Sequence, residues 1–355
     1  MYKKIVLKIS VFLITVSASF NIFPSEELQP ETINQVVHEM SEVLAEQYIF
    51  SEVGDSMAKA LMTRLENGDY DSLVDATEFT DQLTEELRAL SNDEHLVIFY
   101  SEDKLTTEEE YLNPTSEMLI QDQNMHKYFN AGVRSVGRLD GNIGYLEFTG
   151  FMDAEPSAAI LANAMDFLKD TGGLIIDLRK NTGGMPETVA LLASYFLGPD
   201  PVHVDSIYWK KSDTTEEYWS TADLDGAWYG TERPVLILNS ERTFSAAEAF
   251  SYAMQAFGRA EIVGELTRGG AHPAGMQRIA DNFYLWVSKG RAINAVTGEN
   301  WEGTGVSPDY PVAADAALET AHKLILKPVI EQTEFILDRQ DRERHLRRLE
   351  AAESQ

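Results

Sequence analysis

The hydrophobic positions change period along this chain. Between residues 30 and 90 they recur at helical spacing. Ile33, Val36, Val37, Met40, Val43 and Leu44 form one stripe, and Phe79, Leu83 and Leu87 another. Asn67-Gly68 and Asp71 punctuate them. The spacing predicts a small helical region over 25–92 whose stripes are packing surface. From about residue 95 to 312, short aliphatic runs alternate with helical patterns. The predicted strands are Leu96–Tyr100, Ile143–Phe148, Leu174–Leu178, Val235–Leu238, Glu261–Val263 and Tyr284–Val287. The predicted helices run near Ala158–Lys169, Glu187–Phe196 and Ala246–Phe257. Such alternation predicts an α/β core over 93–313. Residues 314–355 read as a helical extension that Pro328 breaks or kinks, with arginines gathering beyond Gln340.

The first 19 residues follow another pattern. Lys3, Lys4 and Lys8 accompany an apolar stretch, Ile5 to Val16, and small residues Ser17, Ala18 and Ser19 follow. This predicts a secretory signal peptide and an exported protein, periplasmic in a Gram-negative cell. The 355 residues contain no cysteine, which excludes disulfides, a thiolate nucleophile and cysteine-based zinc sites. The seven histidines form no His-x-x-x-His pair, so the common metalloprotease motif is absent. No cofactor is expected. The formal charge of −29 excludes nucleic acid and anionic membranes as natural partners. Oligomeric state is not legible from the chain.

Four segments carry candidate chemistry. Thr243-Phe-Ser-Ala-Ala-Glu-Ala-Phe250 follows the apolar run 234–239 and opens an Ala-rich helix. Ser245 therefore sits at a strand-to-helix turn, where a hydroxyl lies beside free helix N–H groups that can stabilise an oxyanion. Ser245 with Glu248 also reads as a capping box. Asp177-Leu-Arg-Lys-Asn-Thr-Gly-Gly184 follows a buried strand, and Pro186 and Glu187 mark the next helix start. The two glycines let backbone amides point into a cleft, but their spacing fits no nucleotide loop. Ser91-Asn-Asp-Glu-His95 places a histidine before a strand, and Asn300-Trp-Glu-Gly-Thr-Gly-Val-Ser-Pro-Asp309 carries Glu302 in a turn-rich segment.

These segments, in this order, resemble the S41 peptidases, the tail-specific and tricorn-core-like serine proteases, and within them the branch of the interphotoreceptor retinoid-binding protein repeats. The resemblance covers roughly residues 90–315. It implies a crotonase-like β/α core with a helical N-terminal region, and no PDZ-like insertion is evident. It implies Ser245 as nucleophile and an oxyanion hole from Ala246 with Gly183 or Gly184. The tail-specific branch takes its base from a lysine 25 residues after the serine, and this chain has Gly270 there. Arg268 cannot replace it, because guanidinium stays protonated. The tricorn-like branch implies His95 as general base with Glu302 orienting it. One departure is Glu94, where that branch has a serine before the histidine. His272, two residues past the lost lysine position, is the rival base. The segment from Val202 to Trp228 is rich in tryptophan and tyrosine and is expected to line a cleft or cover the core. Two functions follow: an exported serine endopeptidase acting on peptides or proteins, or a carrier of an apolar ligand such as a retinoid or fatty acid.

Overall fold

Residues 27–352 are described by a computed structural model; the expected signal peptide lies outside the described residues. Helices α1 (Pro30–Gln47), α2 (Ser51–Asn67) and α3 (Ala76–Ser91) come first, followed by β1 (Val97–Tyr100), α4 (Glu108–Leu112) and α5 (Ser116–Phe129). The core then runs β2 (Val133–Leu139), β3 (Ile143–Phe148), α6 (Ala154–Leu168), β4 (Gly173–Asp177), α7 (Pro186–Leu197), β5 (His203–Trp209) and β6 (Thr214–Trp219). It continues with β7 (Val235–Asn239), α8 (Ala246–Ala256), β8 (Glu261–Gly264), β9 (Ala274–Ala280), β10 (Phe283–Ser288), β11 (Gly290–Asn294) and β12 (Tyr310–Pro311). Helices α9 (Ala314–Gln332) and α10 (Ile336–Ala352) close the chain.

The central sheet grows by one strand at a time, in the order β2-β3-β4-β7-β8-β12. All its pairings are parallel except β2 with β3. Alternate residues of β4 divide the core, as strand periodicity requires. Leu174 and Ile176 join Leu161, Phe196 and Phe250 on the face covered by α6, α7 and α8. Ile175 joins Ile325, Leu326 and Val329 of α9 on the other face. Because β4 and β7 are parallel, their C-terminal ends lie on one edge of the sheet. That edge is where parallel α/β sheets hold their ligands.

The expected α/β core with a helical N-terminal region is present. The stripes of α1–α3 close around a second cluster with Ile98, Phe283, Leu285 and Val287, from the three-stranded antiparallel sheet β1-β10-β9. This joint matters for function. Asn92, at φ +54°, ends α3 in a left-handed turn and sends the chain directly through Asp93–His95 into β1. Of the break or kink expected at Pro328, the break is corrected. Helix α9 passes through Pro328 and ends at Thr333. Apolar contacts on both sides of the proline, from Ile325, Leu326 and Val329, press this helix onto the sheet and outweigh one lost backbone hydrogen bond.

Replacing Phe79 by alanine empties the joint where it meets Phe283 edge-on at 6.3 Å. Unfolding in urea is expected to show a loss of about 3–5 kcal/mol; a loss below about 1 kcal/mol would mean that the helical region is not anchored on that sheet.

Candidate active site

Ser245 is the first candidate. Its backbone has φ +56° and ψ −123°, a combination that a residue with a Cβ adopts only under constraint. The constraint is Glu248, one turn along α8 and fully buried. Its Oε2 accepts the N–H groups of Ser245 (2.8 Å) and Gly270 (2.9 Å). Its Oε1 accepts the Gly269 N–H (2.6 Å) and the Thr267 hydroxyl (2.5 Å). Burial pushes this carboxyl up to about 7, and the four donors oppose the shift. The capping partner expected from sequence thus also ties the serine turn to the 267–270 loop.

The glycine pair comes from the end of β4. Asn181 donates its side-chain N–H to Phe148 O (3.0 Å) and accepts the Gly183 N–H (2.9 Å). Gly183 (φ +110°) and Gly184 (φ +135°) lie in backbone regions that favour glycine. A Cβ on Gly183 would fall 2.7 Å from Ser245 Cβ, and one on Gly184 only 2.0 Å from Phe151 O. The backbone therefore comes as close to the serine as it can. The Gly183 N–H is already engaged by Asn181. Among the described residues the N–H groups of Gly184 and Ala246 have no hydrogen-bond partner, so these two are available to an oxyanion.

His95 lies against Phe244, the residue before the serine, with ring centroids 4.4 Å apart. The space a side chain on Gly270 would need is taken: its Cβ would meet Phe244 Cε2 at 2.2 Å and His95 Cε1 at 2.7 Å. The absent lysine and the present histidine thus occupy one place. His95 and Ser245 line the same cleft. No hydrogen bond joins them among the described residues. In unliganded sites such contacts are often loose and tighten with substrate. Burial holds the imidazole at about 4, against the favourable charge of Asp93, so it is neutral at pH 7. Its Nδ1 is buried without a hydrogen-bond partner among the described residues, which leaves Nε2 for the cleft.

Glu302 does not meet His95. Its Oε2 accepts the N–H groups of Ala271 (2.5 Å) and His272 (3.0 Å) and lies 3.4 Å from His272 Nδ1. Asp93 Oδ2 faces the same nitrogen at 3.6 Å and accepts the Tyr48 hydroxyl at 3.1 Å. Asp93 Oδ1 accepts the His95 backbone N–H at 2.9 Å. His272 is therefore buried behind the cleft, between two carboxylates, and Asp93 is the acid next to His95. Burial and the Asp93 charge push Glu302 up to about 7, with His272 opposing. Asp93, His272 and Glu302 each bring a donor atom within 4.8 Å of the others, the number and type a divalent ion would need. The two oxygens facing His272 already accept hydrogen bonds, while His272 Nδ1 and Glu302 Oε1 are buried without a hydrogen-bond partner among the described residues.

Glu94 forms ion pairs with Arg268 (3.1 Å) and Arg88 (3.6 Å), fastening the histidine segment to the loop after β8. Arg268 also lies over the Phe244 ring at 5.0 Å. Asp177 and Arg179, in the same run as the glycines, are structural. Arg179 grips both Asp177 oxygens (2.9 and 2.6 Å) and donates to Ala314 O (2.6 Å), fixing the start of α9. The cleft itself has a volume of about 2730 Å³, ample for an extended peptide. The aromatic segment folds as the β5–β6 hairpin, and Trp209 and Tyr218 do line the cleft. Asp93, Asn181 and Thr267 were not singled out from sequence. The spacing Asp-x-His in 93–95, where an aspartate can accept the N–H two residues on, was the signal for the first.

Two family models match this chain. One, described as peptidase family S41, matches residues 142–312. The other, described as the N-terminal domain of Peptidase S41 in eukaryotic IRBP, matches residues 29–136. A probable CtpA-like serine protease of Staphylococcus haemolyticus is 27% identical over 176 residues, 49% of this chain and 34% of that protein. The carboxy-terminal processing protease CtpA of Bacillus subtilis is 29% identical over 132 residues, 37% of this chain and 26% of that protein. The matches thus span about a third or less of these relatives' own length. Among solved structures, a lipoprotein from Streptococcus agalactiae superposes with TM-score 0.55 at 16% identity, over 87% of this chain and 99% of its own. The tricorn protease superposes with TM-score 0.53 at 12% identity, over 84% of this chain and 37% of its own. At such identities these two show a common fold.

Glu248→Ala leaves buried donors at Ser245, Gly269 and Gly270 without their acceptor. Chemical denaturation is expected to show a loss of at least about 3 kcal/mol; a change within about 0.5 kcal/mol would mean that the carboxylate does not hold this turn.

Proposed function

This chain belongs to peptidase family S41, and on that premise we propose that it is a serine peptidase cleaving peptide bonds through an acyl-enzyme on Ser245, with His95 as general base. The observation that carries the reading is the convergence on one cleft of a serine in a strained strand-to-helix turn, two unengaged N–H groups beside it, and a neutral imidazole on the adjoining ring. His95 Nε2 takes the Ser245 proton as Oγ attacks the scissile carbonyl carbon. The N–H groups of Ala246 and Gly184 receive the developing oxyanion. His95 then returns the proton to the departing amine, and water, activated by the same imidazole, hydrolyses the ester.

Asp93, rather than Glu302, is the acid that steadies the imidazolium in this reading. Its side chain is almost fully buried, and its charge favours protonation of His95. His272 and Glu302 act one step further back, holding Asp93 in place. The carrier of an apolar ligand is the weaker reading, because the cleft walls include Glu94, Asp205, Glu216 and Arg268. An apolar ligand would leave these groups unsolvated. Export, periplasmic location and endopeptidase rather than exopeptidase action belong to the same proposal; the first two rest on residues 1–19.

Ser245→Ala is expected to abolish hydrolysis of a casein or peptide substrate and covalent labelling by a fluorophosphonate. If the serine were only a cap, turnover would persist while stability fell by up to about 2 kcal/mol. His95→Ala should lower kcat/KM by about 10²–10⁴, and an unaltered value would move the base role elsewhere.

The neutral imidazole is the active form, so protonation removes activity. The acid limb of kcat/KM on a short peptide is therefore expected near pH 4, with activity rising above it. A limb at the ordinary histidine value of about 6.5 would show that His95 is not the titrating base.

A further inference from the structure

Strand β5 turns Asp205, Ile207 and Trp209, alternate residues, toward the cleft. Helix α8 packs on β5 and β11, and offers the cleft only Ala246 and Ala249 beyond Ser245, while β11 offers Ala292. These are small side chains, and they share the cleft wall with Ser245. Asp205 lines the same cleft and is only 7% exposed. Its Oδ1 accepts the Ser206 N–H at 2.9 Å. No basic side chain forms an ion pair with it among the described residues. Of the cationic residues lining the cleft, Arg268 and Arg88 pair with Glu94, Lys289 with Glu108 and Lys104 with Glu110.

A carboxylate nine-tenths buried and lacking a counter-ion is costly, and it is retained where something completes it. Burial pushes the Asp205 carboxyl up to about 7, opposed only by the Ser206 and Ile293 N–H groups and by no neighbouring cation. The surroundings add to the negative potential. Tyr218 on β6 donates to Glu216 at 3.0 Å, and the charges of Glu187, Glu216 and Asp205 all act on its hydroxyl. A buried acid on a cleft wall that also carries Ala246, Ala249, Ile207 and Ala292 suits a side chain that has a methylene stem and a cationic end. Lysine and arginine have that form.

We propose that Asp205 is the specificity-determining residue of this cleft, selecting a lysine or arginine side chain of the substrate next to the bond that is cut. The inference rests on the peptidase reading, and its test separates the two. Four otherwise identical fluorogenic peptides carry Lys, Arg, Leu or Glu at the residue before the cleaved bond. The wild-type protein is expected to prefer Lys and Arg over Leu by about a hundredfold in kcat/KM, and to cleave the Glu peptide least. Asp205→Asn should collapse the Lys-to-Leu ratio to near one. Calorimetric binding of the same peptides to Ser245→Ala should follow the wild-type order, independently of turnover. If the wild-type protein is labelled by a fluorophosphonate and cleaves all four peptides alike, the Asp205 assignment is wrong while the peptidase reading stands. An Asp205→Asn variant with the wild-type ratio has the same consequence. Absence of labelling, and of cleavage of every peptide, removes the peptidase reading and this inference with it.

Discussion

One buried carboxylate sets the geometry on which everything else in the cleft depends. Ser245 occupies a backbone conformation that costs on the order of 1–3 kcal/mol for a residue with a side chain. Left to itself, that turn would relax. Glu248 prevents this by accepting donors from Ser245, Thr267, Gly269 and Gly270 at once. The same acid thus fixes the serine turn and the loop that passes behind it. Thr267 extends the grip, since its hydroxyl oxygen also accepts the Val306 N–H at 2.7 Å. The segment carrying Glu302 is in this way tied to the segment carrying Ser245, although 57 positions separate these two residues in the sequence.

The sheet supplies the second condition. Strands added in chain order place the ends of β4 and β7 side by side, so the glycine turn at 183–184 meets the serine turn at 245. His95 must come from outside this sheet. It arrives because α3 and β1 pack into the second apolar cluster, with β1 paired to β10. Glu94 then bonds to Arg268 across the gap. An exposed ion pair adds little stability by itself. Its consequence here is positional: the residue adjoining the histidine is fastened to the loop adjoining Gly270.

Much of this was legible in the chain, for reasons that also explain the rest. Strands β4 and β7 are continuous aliphatic runs because both faces of the sheet are covered, and such runs stand out. The helices α7 and α8 begin at Pro186 and just after Ser245, where proline and capping chemistry mark starts. Strand β6 is Thr-Thr-Glu-Glu-Tyr-Trp and mostly exposed; it exists through pairing with β5, which no local pattern reveals. Strand β9 likewise depends on β10. Sequence order could place Glu302 near a histidine but could not choose between two. His272 and His95 lie on opposite sides of Asp93, and only packing decides which of them the glutamate faces. Pro328 misled for the same reason, since tertiary contact overrode a local signal.

The two histidines also show how burial divides labour between chemically identical groups. His272 has two carboxylates, from Asp93 and Glu302, facing the same nitrogen. His95 has no partner on Nδ1 among the described residues and lies on an aromatic ring, and its burial disfavours the charged form by roughly 3 kcal/mol relative to water. Such an imidazole is a poor base in the resting state. In the proposed mechanism that penalty is offset at the moment of reaction. The tetrahedral intermediate places a negative oxygen near the new imidazolium, and the Asp93 charge also favours that cation. Charge on His95 is then favoured when the oxyanion exists and disfavoured when it does not. The same burial that weakens the base in the empty cleft therefore concentrates its stabilisation on the transition state.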